Sequence, residues 1–210
     1  VNQFNTSQNK WKVVVKAFPQ ANYNDAIVAA AASHNLPCIL DSDAPNIPAW
    51  QNAGYLSPLK LDPARVNVIQ PSVKGIVKGT LYSIGLYDAA VALFTTKSTL
   101  SALGLNTPSL NSPWTLSEFN DALAKAKASG KYKYALELGN NNTGEWWPYF
   151  YSPFLQSFGG DLINRSDYKS ADGALNGPKA VAWGNWWQGL FNQGYSPVSE
   201  TNDQHSNGFV

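Results

Sequence analysis

The sequence has no methionine, one cysteine and two histidines among 210 residues. Each scarcity excludes something. A lone Cys38 cannot form an internal disulfide, and without a neighbouring histidine to activate it the thiol reads as buried and inert. His34 sits at a helix end and His205 in a polar tail, with neither metal-ligand spacing nor a nucleophile around them. Charge is also thin: 15 basic against 14 acidic residues leave a net +1, so no basic field exists to draw nucleic acid or anionic lipid. The longest apolar run, Ala26 to Ala32, is far short of the ~20 residues that cross a bilayer. The opening VNQFNTSQNK is neither cationic nor apolar, unlike a signal peptide. The missing initiator methionine points to a processed chain or an internal start. No glycine-rich phosphate loop is present.

What is present is an ordinary 44% of hydrophobic residues, enough for one large or two modest domains. Short apolar runs alternate with helical patterns, which indicates an α/β class. KVVVKAF (12–18) reads as a buried strand, Ala-rich YNDAIVAAAASHN (23–35) as a helix, and CILD (38–41) as a second strand, making one βαβ unit. The loop DSDAPN (41–46) then lies at the carboxyl end of its strand, where open α/β sheets place ligands. A short helix through Trp50 stops at Gly54. LYSIGLYDAAVALFTT (81–96) reads as two strands joined near Tyr87 and Asp88. Thr115 and Glu118 match a capping box, opening a helix that ends at Gly130. Residues 132–138 read as a strand, GEWWPYFYSPFLQSFGG (144–160) as a helix ending at Gly159, and Pro178 near the first turn of a last helix that Gly194 stops.

Six of the ten residues from Glu145 to Phe154 are aromatic. On a regular α-helix Trp147, Phe150, Tyr151, Phe154 and Phe158 share one face and make a core stripe. Trp146 and Tyr149 are the surplus. Trp183, Trp186, Trp187, Leu190 and Phe191 follow i, i+3, i+4, i+7, i+8 spacing, a second core stripe. An aromatic edge beside Asn, Thr and Glu suits sugars, whose C–H faces stack on rings while their hydroxyls require carboxylates and amides. Covering a lobe edge is the competing role for the same two rings.

Seven stretches taken in order resemble the extracellular solute-binding proteins of bacterial ATP-driven sugar importers, the group that includes maltose-binding protein. They are LPCILDSDAPN, WQNAGYLSPL, GTLYSIGLYDAAVALFTTKSTLSALGL, SPWTLSEF, FLQSFGGDLI, GPKAVAW and LFNQGYSP. The resemblance implies two α/β lobes joined by a hinge and closing on a sugar, with residues 1–93 in the first lobe, 94–112 in the crossing and connector, and 113–210 in the second. It implies ligand contacts from Asp41, Asp43, Trp50, Tyr87 and Asp88 in the first lobe and from Glu145, Trp146 and Tyr149 in the second. It implies no catalytic residue, no metal and no cofactor, a periplasmic or extracellular location with a lipid anchor on a full-length precursor as one means of retention, and an ABC-transporter permease as partner. The family's first strand and its returning C-terminal part have no counterpart here, so the sequence reads as an internal portion of a larger protein, with self-association through the incomplete lobe as a further expectation.

Two other functions stay open at this level. A glycoside hydrolase needs two carboxylates across the scissile bond, and Glu145 beside Trp146 resembles one of them. Yet the chain has four Glu. Glu118 belongs to the capping box, Glu137 to a strand and Glu200 to the tail. A receptor for a peptide or an amine would use an acidic aromatic cage built from the same residue types.

Overall fold

The computed structural model describes residues 1–19, 22–140 and 146–199. The chain forms two compact units, Val1–Ala89 and Ala90–Val210.

In the first unit, helix α1 (Asn2–Ser7) is followed by the stretch read as a buried strand. Residues 12–18 form no strand, and Val14 is 79% exposed. The reason is pairing: a strand exists through its ladder, and among the described residues no strand pairs with this one. Part of that role is taken by the Asn5 side-chain amide, which accepts from Val13 N–H at 2.8 Å and donates to Val13 C=O at 2.9 Å. Helix α2 (Tyr23–Ala32) forms where the Ala-rich run predicts it, burying Ile27. Residues 38–41 are likewise not a strand, and Cys38 is exposed rather than buried. A 3-10 turn at Ala44–Asn46 leads into α3 (Ile47–Asn52), which buries Ile47 and Trp50 and ends at Gly54 with φ +78°. Only a residue without Cβ adopts that left-handed cap cheaply. Asp62 caps the short α4 (Pro63–Asn67) by accepting from Ala64 N–H at 2.9 Å.

Among the described residues the regular sheet of this unit is one hairpin, β1 (Lys74–Val77) paired antiparallel with β2 (Thr80–Ile84). Lys78 and Gly79 both have positive φ, +49° and +79°. That is the mirror-image turn whose twist matches two joined strands. Only the start of the 81–96 stretch is therefore strand, and its partner lies upstream rather than beyond Asp88.

The second unit is helical. Helix α5 (Lys97–Ala102) is capped by Thr96, and α6 (Leu116–Ala128) opens with the full capping box: Glu118 N–H donates to Thr115 Oγ1 at 3.2 Å, and Thr115 N–H donates to the Glu118 carboxylate at 2.7 Å. Residues 132–138 are not paired as a strand. After residues 141–145, which lie outside the described residues, a π turn (Trp147–Tyr151) runs into α7 (Ser152–Ser157), and α8 (Pro178–Asn192) closes the unit. Leu123, Leu138 and Leu190 form the buried centre, surrounded by Phe119, Phe150, Phe154, Trp186, Trp187 and Phe191. The two aromatic stripes meet edge to face, with Phe154 and Tyr151 within 5.5 and 5.2 Å of Trp187. Trp186 satisfies its indole N–H on Asn120 at 2.9 Å.

The π turn corrects one aromatic. A wider turn shifts every later side chain around the axis, and Trp147, placed in the core stripe by α-helical spacing, is 53% exposed.

Candidate functional site

The ligand-edge loop of the first unit brings Asp41 and Asp43 close to a residue the sequence does not single out. Both aspartates are exposed, and the phenol of Tyr23, at the start of α2, lies near them. Burial raises the Tyr23 phenol above its ordinary value of 10.0, and the Asp41 and Asp43 carboxylates raise it further, against a backbone hydrogen bond with Asp41 that works the other way. The Tyr23 ring stands between Phe18 at 6.3 Å and Trp50 at 6.4 Å. Trp50 itself is only 5% exposed. Its indole is thus committed to packing inside this unit, while both aspartates are exposed. Asn46 and Asn24 join at the same end through a side-chain hydrogen bond of 3.3 Å. The signal for Tyr23 was its position as first residue of a helix after a turn, too common a pattern to stand out.

Tyr87 and Asp88 follow β2 in an exposed stretch. The Asp88 carboxylate accepts from Ala89 N–H at 3.0 Å, and the residue is exposed. Asp88 does not join two strands, since no strand lies between β2 and residue 97.

In the second unit, Trp146 and Tyr149 meet edge to face with ring centres 6.0 Å apart. Trp146 also stacks on Phe150 at 4.9 Å with planes 12° apart, so one indole face rests on the core. Tyr149 is 39% exposed. Both line an open cavity of about 2190 Å³ that is walled mainly by apolar residues, among them Phe119, Leu136, Phe154 and Trp186. The Trp146 indole N–H is buried and has no hydrogen-bond partner among the described residues. Buried donors are nearly always paired, and an unpaired one marks a place where a partner is due. Glu145 lies outside the described residues. Among the described residues no group of three His, Cys, Asp or Glu side chains could hold a metal ion.

The comparisons with known proteins agree with this arrangement at the level of family and fold. The chain belongs to the bacterial extracellular solute-binding proteins, whose family model matches residues 1–209. In fold it is similar to the cyclic α-maltosyl-1,6-maltose binding protein from Arthrobacter globiformis, with a TM-score of 0.64 at 19% sequence identity. The match covers 99% of this chain and 53% of that one, so the chain spans about half the length of the protein it resembles. No curated protein matches the sequence.

The α/β solute-binding-protein class expected from the sequence is therefore the class of this chain, here with few strands among the described residues. Membership also gives its location, periplasmic or extracellular. No described helix is long and apolar enough to cross a membrane.

Proposed function

We propose that the chain is the ligand-capturing part of a carbohydrate receptor that serves an ABC-transporter permease, and that it binds without catalysing. The observation that carries this reading is the Trp146–Tyr149 edge on the wall of an open cavity, with a buried indole N–H that no described residue pairs. A ring face stacks on the C–H side of a sugar, and the indole N–H donates to a hydroxyl oxygen, which together orient a pyranose. The structural relative is named for binding a cyclic maltose-type oligosaccharide, which favours a sugar over a peptide or amine. The candidate contacts are Trp146, Tyr149 and Glu145 on the second unit and Asp41, Asp43, Tyr87 and Asp88 on the first. Trp50, buried against Tyr23, acts by holding the ring beside the aspartates.

Catalysis by a carboxylate pair has little support. Glu118 is occupied by the Thr115 cap, which lowers its pKa below the ordinary 4.5, the opposite of what a general acid requires. Calorimetric titration with mono- and oligosaccharides, maltose-type rings included, tests the proposal. Saturable heat with the sugar recovered unchanged is expected. Hydrolysed product would overturn the receptor reading, and no heat with any sugar would remove the carbohydrate.

A further inference from the structure

The π turn exposes one ring that neither the core nor the cavity uses. Ser152 N–H donates to Trp147 C=O, five residues back along the chain, and the Ser152 hydroxyl is bonded to Pro148 C=O. Wide turns of this kind are rare inside helices and gather at functional sites. Trp147 leaves the turn 53% exposed and does not line the cavity, whereas Trp146 and Tyr149 do. Its indole is supported all the same. It packs on Tyr151 at 4.8 Å, and that ring is 2% exposed, donates its hydroxyl to Gly139 C=O at 3.0 Å and meets Trp187 edge to face at 5.2 Å. A ring held from beneath by buried rings offers a flat apolar face, and a ligand that stacks on it need not first order a free side chain.

We infer that Trp147 stacks on a sugar unit outside the cavity, next to the unit held at Trp146 and Tyr149, so that the ligand is an oligosaccharide and not a single sugar. The inference rests on the carbohydrate reading of the Trp146–Tyr149 edge. Two features fix the occupant. Consecutive Cα atoms are ~3.8 Å apart, so the rings carried by residues 146 and 147 serve neighbouring units of one chain of sugars, and no second molecule is needed. The cavity beside them, about 2190 Å³ against the roughly 300–1,000 Å³ of a pocket shaped for one small ligand, is larger than a single sugar fills. The competing role for Trp147, as a cover over Tyr151, predicts lost stability on truncation with no dependence on the length of the sugar. Length is therefore what the test varies.

Titration calorimetry on the purified chain uses glucose, mannose, galactose and xylose, each with its oligosaccharides up to the tetrasaccharide. In the series that binds, the wild type should gain affinity beyond the monosaccharide. Trp147→Ala should remove most of that gain, about tenfold for the longer members, while leaving the monosaccharide affinity as it was and the melting temperature little changed. An equal loss at every length, no loss at any length, or a wild type that gains nothing with length overturns the inference. Should Trp147→Ala unfold, fluorine NMR of the wild-type chain labelled with fluorotryptophan decides, with the Trp147 signal assigned through Trp147→Phe. That signal should shift with the oligosaccharide and stay with the monosaccharide, and a signal that moves with neither overturns the inference. Absence of heat from the wild type with every sugar is a different failure, because it removes the carbohydrate reading itself.

Discussion

The second unit closes its core with helices drawn from one continuous stretch of chain, whereas the first carries its apolar residues in extended segments and buries few of them. Leu123, Leu138, Tyr151, Leu155 and Leu190 are each at most 4% exposed in the second unit, and the first has Ile27, Ile47 and Trp50 as its buried centre. The difference follows from where each element finds its hydrogen bonds. A helix satisfies its backbone internally and needs neighbours only for one face, while a strand of the same apolar content needs a partner on its edge before burial can reward it. Val14, Val15 and Ile39 remain exposed for that reason.

The largest test of this comparison removes one indole from each unit. Trp186 touches Phe119, Phe154, Phe158 and Trp187 and bonds Asn120. Trp186→Ala should cost about 3–5 kcal/mol of folding stability, the range for deleting a large core ring. Trp50→Ala should also destabilise, but less, because its surroundings are sparser and can relax around the gap. Urea unfolding followed by circular dichroism compares the two. A larger loss for Trp50 would show that the first unit, not the second, carries the better packed core.

That prediction also marks what could be read in the sequence. Helix periodicity and capping are local, and Thr115–Glu118, Gly54, Gly130, Gly159 and Gly194 behave as their residue types dictate. The strands could not be read because pairing is non-local. KVVVKAF has the composition of a strand and no strand partner among the described residues, while the Lys78–Gly79 turn that does build a hairpin carries a weaker signal than Asn-Gly. The site divides in the same way. Trp146 and Tyr149 were separable from the core by spacing, but the exposure of Trp147 depends on a π turn that the regular spacing of 3.6 does not foresee. The partnership of Tyr23 with Asp41 and Asp43 joins residues far apart in sequence.

Sharpening the contrast within the second unit comes next. Trp146→Ala should weaken binding of whichever sugar gives heat by about 1–3 kcal/mol, as for a buried contact ring, with a small effect on the unfolding midpoint. Titration calorimetry and denaturation on the same variant separate the two. Collapse of the unit with affinity retained would place Trp146 with the core and remove it from the site.

The cap of α6 offers a smaller effect. Thr115→Ala removes the hydroxyl that accepts from Glu118 N–H and should cost about 1 kcal/mol. Glu118 titrates below its ordinary 4.5 in the folded chain, chiefly through the Thr115 backbone N–H and then its hydroxyl. A lowered folded-state pKa stabilises above the unfolded value and is lost as pH falls through the folded one. The wild type should therefore lose this contribution in acid, below about pH 4.5, and Thr115→Ala should flatten part of that loss. Thermal melts at neutral and acid pH check both.

The smallest effect isolates the loop end of the first unit. Tyr23 is raised above 10.0 first by burial and then by the charges of Asp41 and Asp43. A phenol whose pKa is raised by folding holds its proton in the folded state after the unfolded chain has released it. Stability from this group is thus complete below the ordinary tyrosine value and declines as pH rises through the folded one. Asp41→Asn and Asp43→Asn each remove one charge without removing the burial, so each should lower the Tyr23 pKa part of the way, with Asp41→Asn giving the larger fall. Titration of the tyrosine ring carbons by NMR, with Tyr23 assigned through Tyr23→Phe, reads this directly. If both variants leave Tyr23 where it was, the two carboxylates do not share a neighbourhood with the phenol, and the polar end of the first unit loses the grouping that makes it a candidate for binding hydroxyls.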